Sequence, residues 1–289
     1  HHHNLLDLWF ISTSVMGRFA VSTMFFHEYP CDDIFDYVAE SGLDSIEFWI
    51  ETPHFWLRGA PLDDLSRCVA DHPELSPITV HAPSLDLNPC SINPKVAEIS
   101  VKYTVEAVWM ADRIGAGVVT IHPGRRTAKR DPSAYDYRRF EAYIAQIRDI
   151  AEETRVKVAI ENLEPRVNAM LYKAEDAREV LDREPWLWFT LDMGHAMMAS
   201  RGEVDRFIDL CIDRMVNVHV SALGANGRPH HPIHDDPAAQ RVLADLADRG
   251  YTGYLTLELE DMVFSGALSS EEKIVLLSRE LRALQEIFS

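Results

Sequence analysis

Val118-Val119-Thr120-Ile121-His122 is a short β-branched run that ends on an imidazole and is stopped at once by Pro123-Gly124. β-Branched side chains suit a pleated strand, and so short an apolar run reads as a strand of a parallel sheet covered on both faces. Working outward, three comparable runs precede it, Phe19–Thr23, Ser45–Trp49 and Ile78–His81. Four follow it: Val156–Glu161, Trp188–Asp192, Val216–Val220 and Leu255–Leu259. Amphipathic stretches with helix-start signals fill the gaps. Asn93-Pro94, and Asp236-Pro237 ahead of a helix expected to stop at Gly250, each set a capping side chain before a proline at the first helical position. Ser269 with Glu272 makes a capping box for a last helix. Strand alternating with helix gives parallel βα units, and eight of them predict an α/β chain folded as a (β/α)8 TIM barrel in a single domain.

The bulk properties agree. A length of 289 residues with 47% hydrophobic side chains suffices for one large core, and such a barrel needs roughly 250 residues. Residues 1–15, opened by His1, His2 and His3, read as a tag or vector-derived leader, which leaves 16–289 for the barrel and Met16 as a native start. No stretch approaches the roughly 20 apolar residues of a membrane span, so no membrane partner is expected. Cys31, Cys68, Cys90 and Cys211 are scattered without paired spacing, which fits a reducing cytoplasm and indicates neither disulfides nor a zinc ribbon. A formal charge of -18 repels polyanions and disfavours nucleic acid as a partner. The outer helices show no apolar stripe that assigns an interface, so the reading leaves an oligomer open.

Six of the expected strands end in a side chain able to bind a metal: His81, His122, Glu161, Asp192, His219 and Glu258. A charged group just past an apolar run is costly to bury unless it is paired or bound to a cation. Repeating that cost around one barrel rim makes sense with a divalent cation at the axis. Imidazole with carboxylate suits zinc, manganese, iron or cobalt better than calcium or magnesium. His195, three residues after Asp192, and His230 in the loop after the seventh strand are further candidate ligands. By period two Glu47 and Trp49 share one strand face. Trp49 and Trp56 are candidate walls against a sugar ring, and Glu47, His195 and Arg228 are candidates to hydrogen-bond its hydroxyls or a phosphate. Asn162 is placed to orient its neighbour Glu161.

At these positions the chain resembles the superfamily of xylose isomerase, the ketose 3-epimerases and endonuclease IV. The matching pieces, in order, are Thr79-Val80-His81-Ala82-Pro83, Thr120-Ile121-His122-Pro123-Gly124, Ala159-Ile160-Glu161-Asn162, Leu191-Asp192-Met193-Gly194-His195, Asn217-Val218-His219 and Leu257-Glu258. The resemblance implies that Glu161, Asp192, His219 and Glu258 form the single-metal set of the isomerase and epimerase branch. His81, His122, His195 and His230 look like the larger zinc cluster of endonuclease IV. Against that nuclease, Arg228 stands where its pattern has an aspartate, and Ser84 where it has a tyrosine that enters DNA.

The expected function is therefore a divalent-metal-dependent sugar or sugar-phosphate isomerase or epimerase, with zinc or manganese as cofactor and a small polyhydroxy substrate. Glu161 and Glu258 are its expected proton-transfer pair. The alternatives are a zinc phosphodiesterase like endonuclease IV, and a metal-holding barrel without turnover.

Overall fold

The computed structural model describes residues 19–289, so the expected leader and the start at Met16 lie outside the described residues. The expected runs form strands β1 Phe19–Val21, β2 Glu47–Trp49, β3 Thr79–His81, β4 Val118–Ile121, β5 Lys157–Glu161, β6 Trp188–Asp192, β7 Met215–Val220 and β8 Tyr254–Leu257. They pair in parallel in the order β1-β8-β7-β6-β5-β4-β3-β2. Across the remaining seam the backbones of Asp44 and Ser45 donate to Phe19 O, and Ser22 bridges to Glu47. The result is a nearly closed eight-stranded barrel, as the alternation predicts.

Helices α1 Cys31–Ser41, α2 Pro53–Trp56, α3 Leu62–Asp71, α4 Pro94–Arg113, α5 Ala134–Glu152, α6 Ala174–Arg183, α7 Met193–Ala199, α8 Arg201–Cys211, α9 Pro237–Asp248 and α10 Ser270–Ile287 lie between and after the strands. None is long and apolar enough to cross a membrane. Their ends follow the sequence signals. Asn93 and Asp236 cap α4 and α9 through Lys95 N and Ala239 N, and the Ser269–Glu272 capping box opens α10. The chain leaves α9 through Gly250 at φ +79°, a left-handed position that favours glycine.

The strand alternation sorts the interior into two environments. Phe48, Val80, Val119, Val158, Phe189, Val218 and Leu255 are buried in the hydrophobic cluster beneath the helices. The intervening residues fill the barrel with small or polar groups: Thr120 bonds Thr190 at 2.9 Å, and Thr256 donates to Asn217 at 2.9 Å. A polar filling of this kind is tolerable because its members satisfy one another.

Helix α5 opens on a second capping box, in which Asp136 accepts from the backbone N–H and the hydroxyl of Ser133 and from Arg139 at 2.7 Å. Burial alone raises the Asp136 carboxyl, but these donors outweigh it and hold the group below its ordinary 3.8. A depressed carboxyl contributes stability above its unfolded value and loses it as pH falls through the folded one. We expect Asp136→Asn to cost about 1 kcal/mol at pH 7, with the gap to the parent closing below pH 3.8. Urea melts at pH 7 and at acid pH check this; an equal gap at both would refute it.

Candidate functional site

Strand register brings the candidate ligands together. Asp192 and His219 are direct neighbours on β6 and β7, and Glu258, one residue past β8, still donates its backbone N–H to Val220 O at 3.0 Å. His122 likewise falls one residue beyond β4. One donor atom each from Glu161, Asp192, His219 and Glu258 lie within 4.8 Å of one another, and so do donors of His81, His122 and Glu161. Glu161 belongs to both groups.

The histidines are oriented by what their other ring nitrogen touches. His81 Nδ1 lies 2.7 Å from Ala82 O and His195 Nδ1 lies 2.8 Å from Asn162 O. A carbonyl only accepts, so each Nδ1 carries a proton and in the neutral ring Nε2 keeps its lone pair; burial opposes a charge on either ring, but Glu161 beside His81 and Asp192 beside His195 raise their protonation above the ordinary histidine value. His230 Nδ1 faces Glu258 O in the same way at 3.3 Å, on a residue held at φ +74°. His219 is turned round. Its Nε2 meets Glu47 Oε2 at 2.8 Å, so Nδ1 points at Glu258 (3.0 Å), Asp192 (3.8 Å) and, in still closer contact, Glu161. His122 Nε2 lies 2.8 Å from the second oxygen of Glu161, and Tyr143 of α5 fixes the His122 carbonyl at 2.8 Å.

Four buried carboxylates thus surround one imidazole. Burial opposes a charge on His219, yet Glu258, Glu47 and Glu161 together push its protonation well above the ordinary histidine value. Burial likewise works against ionised Glu161, but His219 and His122 hold it well below the usual carboxylate range. Glu258 goes the other way: burial, reinforced by the charges of Asp192, Glu161 and Glu47, outweighs His219 and drives it well above that range. Without a metal, protons must neutralise this cluster. Glu161 Oε1, Glu47 Oε2 and both ring nitrogens of His219 have no hydrogen-bond partner of acceptable geometry despite their close ion-pair contacts. Such orphaned atoms, in a set of three carboxylates and an imidazole, fit a divalent cation.

Above the cluster opens a cleft of about 180 Å³, lined by Trp49, His81, His122, Glu161, His195, His230, Glu258 and Glu260, with Ser22, Met24, Ser84 and Leu85. Three expected substrate contacts lie elsewhere. Glu47 is wholly buried, accepting from Asn217 at 2.8 Å and Thr79 at 3.3 Å. It shares its strand face with Trp49 but sits two residues deeper, about 7 Å down the barrel, so it reaches His219 and not the cleft. Trp56 packs on Tyr103 with ring centres 5.2 Å apart, in a separate depression between α2 and α4. Arg228 pairs with Glu164 at 3.1 Å and is not among the residues that line the cleft. Trp49 and His195 do line the cleft.

Several contributors escape a reading by sequence. Glu51 accepts from the Trp49 indole at 3.2 Å and from the backbone N–H groups of Ser84 (2.6 Å) and Leu85 (3.1 Å), which fixes one wall. Asn162 exchanges two hydrogen bonds with the Asp192 backbone, so it orients that residue and not Glu161. The last helix grips the rim from outside. Buried Lys273 donates to Phe25 O at 2.6 Å and pairs with Asp261 at 2.8 Å, tying the loops after β1 and β8 together. Seven residues on, buried Glu280 accepts from Ile233 N (2.7 Å) and His234 N (3.0 Å) in the loop that carries His230.

Comparison with known proteins places this architecture. A protein of Methanocaldococcus jannaschii with no described function is 30% identical over 275 residues, covering 94% of this chain and all of that one. The fructoselysine 3-epimerase of Shigella flexneri is 24% identical over 245 residues, covering 81% and 86%. Among solved structures, a D-tagatose 3-epimerase-like protein superposes with a TM-score of 0.72 at 24% identity, over 94% of this chain and 100% of that one. Endonuclease IV of Thermus thermophilus shares the fold at 17% identity and a TM-score of 0.66, over 93% and 98%. With residues 35–285 matching its model, the chain belongs to the family of xylose isomerase-like TIM barrels.

Proposed function

We propose that this protein is a divalent-metal-dependent isomerase or epimerase acting on a small polyhydroxy carbonyl compound. One observation carries the reading: Glu161, Asp192, His219 and Glu258, from four different strands, converge at the floor of the cleft with donor atoms within 4.8 Å of one another. The presence of a sugar 3-epimerase among the sequence relatives supports it. A bound zinc or manganese ion would supply Lewis acidity, making the C–H beside a substrate carbonyl acidic. Glu161 and Glu258 both line the cleft and are the carboxylates placed to take that proton and return it. Trp49, its indole anchored by Glu51, offers the substrate an apolar wall, and His195 offers an Nε2 to its hydroxyls.

A second reading has its own observation. His81 and His122 with Glu161 make a further three-donor group, and two metals sharing a carboxylate would favour phosphodiester hydrolysis as in endonuclease IV. Four arginines of the loops around the mouth argue against it, because each is already engaged within the chain. Arg126 is engaged by Asp131 O, Arg166 and Arg228 by Glu164, and Arg125 by Leu87 O.

Elemental analysis of the purified protein, with NMR in deuterium oxide on a panel of ketoses, tests both. We expect about one divalent ion per chain and deuterium entering beside the carbonyl of at least one ketose. Two or three zinc ions with cleavage of an abasic duplex, and no exchange on any ketose, would transfer the assignment to the second reading.

A further inference from the structure

Helix α4, on the outside of the barrel, presents a face that the fold leaves without a partner. At roughly 100° per residue, Lys95, Glu98, Ile99, Lys102, Glu106 and Trp109 fall on one side of it. All six are exposed, Ile99 at 36% and Trp109 at 44%, and Ile92 just ahead of the helix is exposed at 66%. The helix stands as a ridge between two grooves. One of about 870 Å³ lies towards α5 and is lined by Val101, Val105 and Tyr143; the other, of about 310 Å³, lies towards α2 and is lined by Trp56, Tyr103 and Met110. Glu106 borders both.

The charges on this face alternate in sign, and among the described residues none of them closes an ion pair. Glu98 with Lys102, and Lys102 with Glu106, have the four-residue spacing that pairs Arg178 with Asp182 at 2.5 Å and Arg249 with Asp245 at 3.1 Å on other helices. A chain of formal charge -18 repels its own copies at long range. Here the signs balance, with Lys95, Lys102 and Arg113 against Glu98 and Glu106.

The order of these residues is also self-complementary. Turned end for end about an axis close to Ser100, Glu98 meets Lys102 of the partner subunit, Lys95 meets the partner's Glu106, and Ile92 meets the partner's Trp109. A slip of one turn in either direction sets Lys102 against the partner's Lys102 or against the partner's Lys95, so a single register is favoured.

We propose that α4 is the contact surface of a homodimer, packed antiparallel on the α4 of a second copy across a two-fold axis. Such an interface must be complementary to itself, and this face is. Ile99 near the axis, with Ile92 and Trp109 at either end, supplies apolar area, and the ridge of each copy has a groove to enter on the other. The charges, worth little singly at a surface, fix direction and register.

Sedimentation equilibrium of the purified protein tests this without reference to turnover. We expect the parent to dimerise with a Kd of about 1 μM or tighter. Glu98→Lys alone and Lys102→Glu alone each oppose like charges twice across the axis, and each should weaken the dimer by at least about 30-fold. Mixed in equal amounts, the two variants again face each other with opposite signs, and energy transfer between differently labelled chains should report a heterodimer within about threefold of the parent affinity. Trp109→Ala should weaken self-association by about 100-fold. All these positions are exposed, so an unchanged circular dichroism spectrum checks that each variant folds. A parent still monomeric at about 1 mM would overturn the inference and give the face to a different occupant. A dimer indifferent to both charge reversals, or a mixture that fails to associate, would also overturn it.

Discussion

Glu161→Gln is expected to lower kcat/KM by at least about 1,000-fold. Glu161 contributes one oxygen towards His219 and the other to His122, and it is common to both groups of converging donors. The amide keeps the shape and removes the charge. It strips the proposed metal set of an anion and the proposed proton transfer of its base, so affinity for the ion and the chemical step fall together. Calorimetric titration with zinc or manganese, alongside exchange kinetics, separates the two losses. Retention of even a tenth of the parent turnover would remove Glu161 from the mechanism. Folding should survive, since the substitution relieves crowding among four buried carboxylates; an unchanged circular dichroism spectrum checks this.

Glu47→Gln should weaken metal affinity by about 10- to 100-fold while leaving the secondary structure intact. Glu47 touches neither cleft nor substrate. It holds His219 Nε2 at 2.8 Å and so presents Nδ1 to Glu161, Asp192 and Glu258. The amide can present its NH2 to the ring instead of an oxygen, which frees the imidazole to turn or change tautomer. Glu47→Leu goes further and strands the donors of Asn217 and Thr79, at a cost of about 3 kcal/mol. Titration of both variants with metal distinguishes orientation from mere packing. If Glu47→Gln binds metal as the parent does, the buried carboxylate serves only the polar filling of the barrel.

These two residues also mark how far the sequence can be read. Glu161 is legible because it closes the run Val156–Glu161, as Asp192 closes its own, and His219 stands one residue from the end of the next; a parallel barrel must bring such ends together at one mouth. The strand that holds Glu47 is legible too, and so is its face. Its depth is not, because a three-residue strand places Trp49 at the rim and Glu47 in the layer below, a distinction that depends on where β2 ends. Its partner Asn217 lies 170 positions away. Arg228 and Trp56 lie off the cleft for a related reason. A long side chain in a loop goes to whichever partner the tertiary structure offers, here Glu164 and Tyr103. Lys273 reaches Phe25 across 248 positions, beyond anything that local pattern encodes.

That last contact makes one helix the common anchor of three walls. Lys273 holds the loops after β1 and β8, and Glu280 of the same helix holds the loop after β7. A displacement of α10 along its axis would therefore be transmitted to all three at once, and the width of the mouth is coupled to an element that contributes no side chain to it.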